Sequence, residues 1–166
     1  MAIEVTLDID EAWPASCNWQ ALADKAITTA INVSAYPAIA KLPMVELSIA
    51  FASNDDVQTL NAEWRDKDKP TNILSFPMVE PEFFTTLRDD GPLMLGDLIL
   101  AYDVCVREAG EKALSLEAHV THLLIHGTLH LLGYDHRDDE EAEMMEALEI
   151  KALATLGLDD PYGDRE

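Results

Sequence analysis

Four short stretches of the chain carry apolar side chains with the spacing expected of β-strands. Apolar and polar residues alternate over 3–9 and over 45–51, the pattern of a strand with one face in the core and one in water. Two shorter apolar runs, 73–76 and 95–101, predict a third and a fourth strand. The irregular segment 78–93 contains two prolines and a glycine and predicts a long loop.

In five further segments apolar residues recur at helical spacing, which gives each segment one face for the core. Residues whose side chains can cap a first turn precede four of them. The predicted helices are 19–30 after Ser16 or Asn18, 54–65 after Ser53, 103–112, 116–133 after Ser115, and a last helix after Asp138 or Asp139 with Met145, Leu148, Ala152 and Leu156 facing inward. Strands come early and helices late. This order predicts an α+β fold, a small mixed four-stranded sheet packed with about five helices, formed by residues 1–166 as a single domain.

Length and composition agree with one domain, since 166 residues of which 48% are hydrophobic can fill one core. The first residues carry neither a basic segment nor an uninterrupted apolar stretch, so we predict no signal peptide. No later apolar run approaches the roughly 20 residues of a membrane helix. Cys17 and Cys105 form no CxxC pair, which argues against a disulfide framework and predicts two buried thiols. We therefore expect a cytoplasmic protein without a membrane partner.

The formal net charge of −21 opposes any general affinity for polyanions. Nucleic-acid binding depends on cations that neutralise phosphates, so an RNA substrate would need a local basic patch. Arg65, Lys67 and Lys69 supply one, because they place three of the eleven basic residues within five positions. A guanidinium can clamp a phosphate through two parallel hydrogen bonds. The alternative for Lys67 and Lys69 is a solvated charged loop, since Asp66 and Asp68 alternate with them.

Four of the five histidines fall in one narrow sector of the predicted helix 116–133, at His119, His122, His126 and His130. Side chains at i and i+4 lie one turn apart on the same face, so His126 and His130 can hold one ion together. For His119 and His122 we favour packing or hydrogen bonding within the fold.

The third predicted ligand, His136, follows the helix. Gly133 can adopt the left-handed conformation that ends a helix and turns the chain back toward the same point. Three neutral imidazoles that leave one position open for water are typical of a catalytic zinc site. We predict one Zn²⁺ per chain, although nickel would also accept this ligand set. Asp135 or Asp97 could orient a ligand imidazole.

The ligand spacing is also that of the metzincin proteases, in which a glutamate follows the first histidine and acts as general base. Here that position is Gly127, so a peptidase lacks its proton acceptor.

Three segments give the chain a resemblance to the YbeY family, bacterial single-strand-specific endoribonucleases of ribosomal RNA maturation and ribosome quality control. They are LNAEWRDKDKPTNILSFP over 60–77, LGDLIL over 95–100 and HGTLHLLGYDH over 126–136. Asn72 stands where the family pattern leads us to expect an aspartate.

The resemblance implies zinc ligands at His126, His130 and His136 and a catalytic arginine at Arg65. It implies a ribosomal RNA substrate, including the 3′ end of 16S rRNA, and a ribosomal protein or a ribosome-associated GTPase as a partner. It leaves open whether water or the ribose 2′-hydroxyl attacks the phosphate. Two rivals remain: a zinc peptidase-like hydrolase, and a non-catalytic ribosome assembly factor in which zinc stabilises the fold.

Overall fold

The computed structural model describes residues 3–37, 39, 42, 44–65, 72–79, 93–134 and 138–158, and for Trp64 and Arg65 the backbone alone. The described residues form four strands and five helices. In chain order these are β1 (Ile3–Ile9), α1 (Trp19–Val33), β2 (Val45–Ala52), α2 (Asn54–Arg65), β3 (Ile73–Pro77), β4 (Leu93–Ala101), α3 (Tyr102–Glu111), α4 (Leu116–Leu131) and α5 (Asp139–Thr155). The predicted α+β fold with a small four-stranded sheet and five helices is confirmed.

The four strands form a mixed sheet in the order β1, β2, β4, β3. The first three are parallel, and β3 pairs antiparallel with β4 at one edge. Parallel neighbours need a crossover connection, and α1 provides it between β1 and β2.

The two faces of the sheet are covered to different extents. Alternate residues of β2, from Val45 to Phe51, share the main core with residues of α1 and α4, and α5 packs on those two helices. On the other face α2 and α3 cover one end, where Val57 and Val104 join a smaller cluster with Leu74. Helix α4 is therefore the central helix, with the sheet on one side and α1, α3 and α5 around it.

Hydrogen bonds at the helix starts confirm four predicted caps and decide between the two pairs of alternatives. The capping side chains are Asn18, Ser53, Ser115 and Asp138, which accept from the backbone N–H groups of Ala21, Asp56, Ala118 and Glu141 respectively. Ser16 and Asp139 do not serve as the caps of α1 and α5.

Strand β4 begins at Leu93, two residues earlier than predicted, because its parallel pairing with β2 starts at Val45. The pairing is interrupted by a bulge next to Gly96, which has a φ of 145°. An added Cβ at Gly96 would lie 2.3 Å from the Phe76 carbonyl oxygen, so the close approach of β3 requires glycine there. Most of the predicted loop 78–93 lies outside the described residues.

Both cysteines are free thiols, as predicted. Cys105 is buried, and burial together with the nearby charge of Glu108 raises its pKa to about 12. Cys17 is half-buried at the margin of the core, so the prediction that both are buried is wrong for this residue. No helix in the described part of the chain has the length and apolar character needed to cross a membrane.

Candidate metal centre

The histidines of α4 follow a gradient of burial along the helix. The side chain of His119 is 2% exposed, whereas that of His126 is 25% exposed. Ring centroids lie 6.4 Å apart for His119 and His122 and 4.6 Å apart for His126 and His130. The predicted sector is confirmed, and its accessible part is the second pair.

His126 and His130 point their Nε2 atoms at each other across 3.1 Å. Two nitrogens bound to one tetrahedral zinc at about 2.0–2.1 Å would lie about 3.3 Å apart. The two side chains therefore already have nearly the separation that one zinc ion requires.

The Nδ1 atom of His130 lies 3.0 Å from the Tyr134 carbonyl oxygen. A carbonyl can only accept, so Nδ1 carries the hydrogen, and in the neutral ring Nε2 then keeps the lone pair that a metal needs. Gly133 makes this contact possible with a φ of 98°. The N–H groups of Gly133 and Tyr134 bond to the carbonyls of His130 and Leu129, both at 3.0 Å, in the Schellman pattern that ends a helix. The predicted glycine turn is confirmed.

Glu149 of α5 lies between two of these histidines. Its Oε2 is 3.3 Å from His126 Nδ1, and its Oε1 is 2.5 Å from His122 Nε2. Burial opposes ionisation of the carboxyl, but the hydrogen bonds from the two imidazoles outweigh it and hold the Glu149 pKa below its ordinary value. The carboxylate therefore accepts from His126, whose Nε2 lone pair then faces that of His130. Two lone pairs directed into one space repel unless a cation lies between them, so the donor set fits a metal ion.

The sequence did not lead us to Glu149. The sequence pattern that could have indicated it is helical spacing. Glu149 lies four residues after Met145 and three before Ala152, so it shares the face of the last helix on which both of these residues are buried. Asp97, proposed as one of two residues orienting a ligand, lies elsewhere, in a groove with Ser48 and Ile99 on the sheet face opposite α4. The other, Asp135, lies outside the described residues.

His119 belongs to a separate cluster beside α3. Its Nε2 is 2.9 Å from Glu108 Oε1, and the same oxygen accepts from the side-chain amide of Asn72 at 3.1 Å. An aspartate at position 72 could not donate this hydrogen bond. The structural interpretation of His119 and His122 is confirmed, since carboxylates of neighbouring helices bind both.

Gly127 has a packing role. A Cβ at this position would lie 2.8 Å from Leu98 Cδ2 and 2.9 Å from Ile73 Cδ1, so glycine lets α4 approach β3 and β4 closely. A glutamate here would point its carboxylate into the helix–sheet interface. The general base of a metzincin protease has no place in this packing.

The remaining predicted site residues are placed only in part. Arg65 is the last residue of α2, and only its backbone is described. Lys67, Lys69 and His136 lie outside the described residues. No group of three potential metal ligands converges within the described ranges, where His126 and His130 supply two of the three predicted.

Comparison with known proteins identifies the family. The family model described as Endoribonuclease YbeY matches residues 10–157. A relative named Endoribonuclease YbeY from Zymomonas mobilis is 54% identical, with 99% of this chain and 95% of that protein covered. One of the same name from Rhizorhabdus wittichii is 50% identical, with 99% of each covered.

Among solved structures, the solution structure of TM1509 from Thermotoga maritima matches with a TM-score of 0.55. The match covers 93% of this chain and 92% of that one at 19% identity, which supports the fold alone.

The facing Nε2 atoms of His126 and His130 are a donor pair expected of a metal-binding protein. The chain belongs to the Endoribonuclease YbeY family, so the resemblance predicted from sequence is confirmed. Membership also confirms the expected enzyme class, a nuclease and therefore a hydrolase.

Proposed function

We propose that this chain is a zinc-dependent, single-strand-specific endoribonuclease of ribosomal RNA maturation, including the 3′ end of 16S rRNA, and of ribosome quality control. The observation that carries the proposal is the pair of Nε2 atoms of His126 and His130, facing each other at 3.1 Å. Each imidazole has its Nδ1 next to an acceptor, which favours the tautomer that binds metal. Family membership supports RNA as the substrate.

One zinc ion per chain would be held by His126 and His130 together with His136. When bound, zinc supplies Lewis-acid chemistry, because it polarises a phosphoryl oxygen and lowers the pKa of water. The Tyr134 carbonyl would orient the ring of His130.

Arg65 would bind and orient the scissile phosphate and offset the negative charge that develops on it. Lys67 and Lys69 would add further phosphate contacts. A basic segment within a chain of net charge −21 confines RNA binding to one place and disfavours indiscriminate binding elsewhere. Cleavage by this arrangement is therefore expected to fall steeply as salt concentration rises.

The whole chain, residues 1–166, would act as one domain in the cytoplasm. Its excess of acidic residues opposes unaided capture of ribosomal RNA. A ribosomal protein or a ribosome-associated GTPase that presents the substrate would overcome this repulsion.

The test is cleavage of a labelled single-stranded RNA, with the same sequence in a duplex as a second substrate. Wild-type protein is assayed as purified, after chelation and after zinc is restored. Arg65→Ala is compared with Arg107→Ala, a matched control at an exposed arginine of α3 that pairs with Glu111. We expect cleavage of the single strand alone, dependence on zinc, and loss of activity in Arg65→Ala but not in Arg107→Ala.

Cleavage that survives chelation, or that is equal in both arginine variants, would contradict the proposal. If every sample is inactive while the protein is folded, the assembly-factor function becomes the better account. A substrate with 2′-deoxyribose at the scissile position then identifies the nucleophile. Cleavage persists if water attacks phosphorus and stops if the 2′-hydroxyl attacks.

A further inference from the structure

Glu149 is an acidic residue inside the core, with an exposed fraction of 1% and histidine rings within hydrogen-bond distance of both carboxylate oxygens. Burial of a charge costs free energy that an apolar side chain at this position would not cost. Its neighbours on the same face of α5, Met145 and Ala152, are apolar and buried. An acidic residue in this place therefore calls for a role beyond filling space.

The two carboxylate oxygens have different histidine partners. Oε1 contacts Nε2 of His122, and Oε2 contacts Nδ1 of His126. A carboxylate accepts hydrogen bonds on both oxygens, so this geometry pairs each oxygen with an imidazole N–H. His122 thus holds the carboxylate in place, and the carboxylate fixes the ring of His126.

We propose that Glu149 is a positioning residue that holds His126 in its Nδ1–H tautomer and aims the Nε2 lone pair at the metal position. This inference rests on the proposed function, because it requires His126 to be a metal ligand. The partner ligand His130 is fixed in the same tautomer by the backbone carbonyl of Tyr134, which no substitution removes. Glu149 is therefore the side chain through which ligand orientation can be tested.

The decisive variant is Glu149→Gln, which keeps the size of the side chain. An amide has one accepting oxygen and one donating nitrogen, so it cannot accept from both His122 and His126. Glu143→Gln is the matched control, because Glu143 lies on the same helix and is exposed. Zinc affinity is measured by competition with a chromogenic chelator, and folding by circular dichroism.

We expect Glu149→Gln to bind zinc roughly 10–100-fold more weakly than wild type, the usual effect of removing a partner of a metal-bound histidine. Glu143→Gln should match wild type. Equal zinc affinity in a folded Glu149→Gln variant would overturn the inference.

A second measurement needs no variant, so it decides the question even if Glu149→Gln fails to fold. Long-range ¹H–¹⁵N correlation spectra of metal-free wild-type protein report the tautomer of each histidine. We expect a protonated Nδ1 on His126, and a protonated Nε2 with a bare Nδ1 would overturn the inference.

The two proposals fail in different ways. If wild type binds zinc no more tightly than a His126→Ala, His130→Ala variant, the metal site of the proposed function is wrong. If wild type binds zinc through these histidines but Glu149→Gln binds it equally well, only the positioning role is wrong.

Discussion

The two halves of α4 use the same residue types in opposite ways. In the first half, His119 turns its outer ring nitrogen, Nε2, toward the Glu108 carboxylate. In the second half, His126 turns its inner nitrogen, Nδ1, toward Glu149. The buried Nδ1 of His119 has no hydrogen-bond partner among the described residues, whereas Nε2 of His126 faces Nε2 of His130. The ring nitrogen that meets the acceptor thus separates the rings held within the fold from those whose Nε2 is left for the proposed metal.

The other two histidines follow the same rule. His122 gives its Nε2 to a carboxylate and is buried, as His119 is. His130 gives its Nδ1 to a backbone carbonyl and leaves Nε2 for a metal, as His126 does. Helical spacing alone puts all four rings in one sector, and acceptors from α3, α5 and the Gly133 turn divide them into two classes.

Replacing histidines of each half of α4 by alanine should give the largest difference in zinc binding. We predict that the His126→Ala, His130→Ala variant loses zinc binding by well over the roughly 100-fold expected for a supporting residue. His119→Ala should keep one zinc per chain but lose about 1–3 kcal/mol of stability, because Glu108 loses a partner. Elemental analysis of purified protein and urea unfolding measure the two effects. One full equivalent of zinc in the double variant would show that His126 and His130 do not bind the metal, and the contrast between the two halves would be wrong.

The position of the second half depends on the contact of α4 with the sheet at Gly127. Gly127→Glu should cost at least about 3 kcal/mol of unfolding free energy, because it places a charge in the helix–sheet interface. The matched substitutions are Gly127→Ala and Gly110→Ala, the latter at a helical glycine of α3 with open space around it. Gly110→Ala should stabilise by about 0.5–1 kcal/mol. Gly127→Ala should raise the unfolding free energy by less than Gly110→Ala does, or lower it, because Leu98 and Ile73 must shift. An equal increase in both variants would contradict the close approach of α4 to the sheet.

The Tyr134 hydroxyl joins the Gly133 turn to the segment that follows α1, because it accepts from the Ala35 N–H at 2.8 Å. We predict that Tyr134→Phe costs about 0.5–1.5 kcal/mol of stability, the net value of one hydrogen bond. Zinc affinity should stay unchanged, because the carbonyl that orients His130 remains. Chemical unfolding and chelator competition measure these two quantities. A large loss of zinc affinity would show that the orientation of His130 depends on the Tyr134 hydroxyl rather than on the turn alone.

The smallest effect concerns His119 and pH. Burial lowers its pKa below the ordinary value of 6.5, helped by the charges of His122 and Lys112 and opposed by its hydrogen bond to Glu108 on α3. The unfolded chain then takes up a proton at His119 more readily than the folded one. The contribution of His119 to the free energy of unfolding is therefore present above about pH 6.5 and is lost as pH falls. Urea unfolding at about pH 7.5 and at about pH 5.5 should show that the free energy of unfolding falls more between these two conditions in wild type than in His119→Gln. An equal fall of the unfolding free energy in both proteins would show that His119 does not contribute to the pH dependence.

The sequence predicted much of this molecule because its signals are local. Strand alternation, the caps Asn18 and Ser115, and the Gly133 turn each depend on a few neighbouring residues, and the structure confirms them. Glu149 was missed because its partners lie 23 and 27 positions away, and helical periodicity does not reveal which acid turns inward.

Gly127 illustrates a second limit of the sequence. A missing general base could be seen from the motif, but the contact with Leu98 and Ile73 that excludes a side chain there is tertiary. The early start of β4 has the same origin, since its pairing with β2 begins at Leu93.

The most direct test is a zinc titration of metal-free protein in which cleavage of single-stranded RNA is measured after each addition. Wild type and His119→Gln should gain activity in proportion to zinc and stop gaining at one equivalent per chain. His126→Ala should remain at background throughout. Activity before zinc is added, or a rise in His126→Ala equal to that of wild type, would contradict the assignment of the second half of α4 as the metal centre of a ribonuclease.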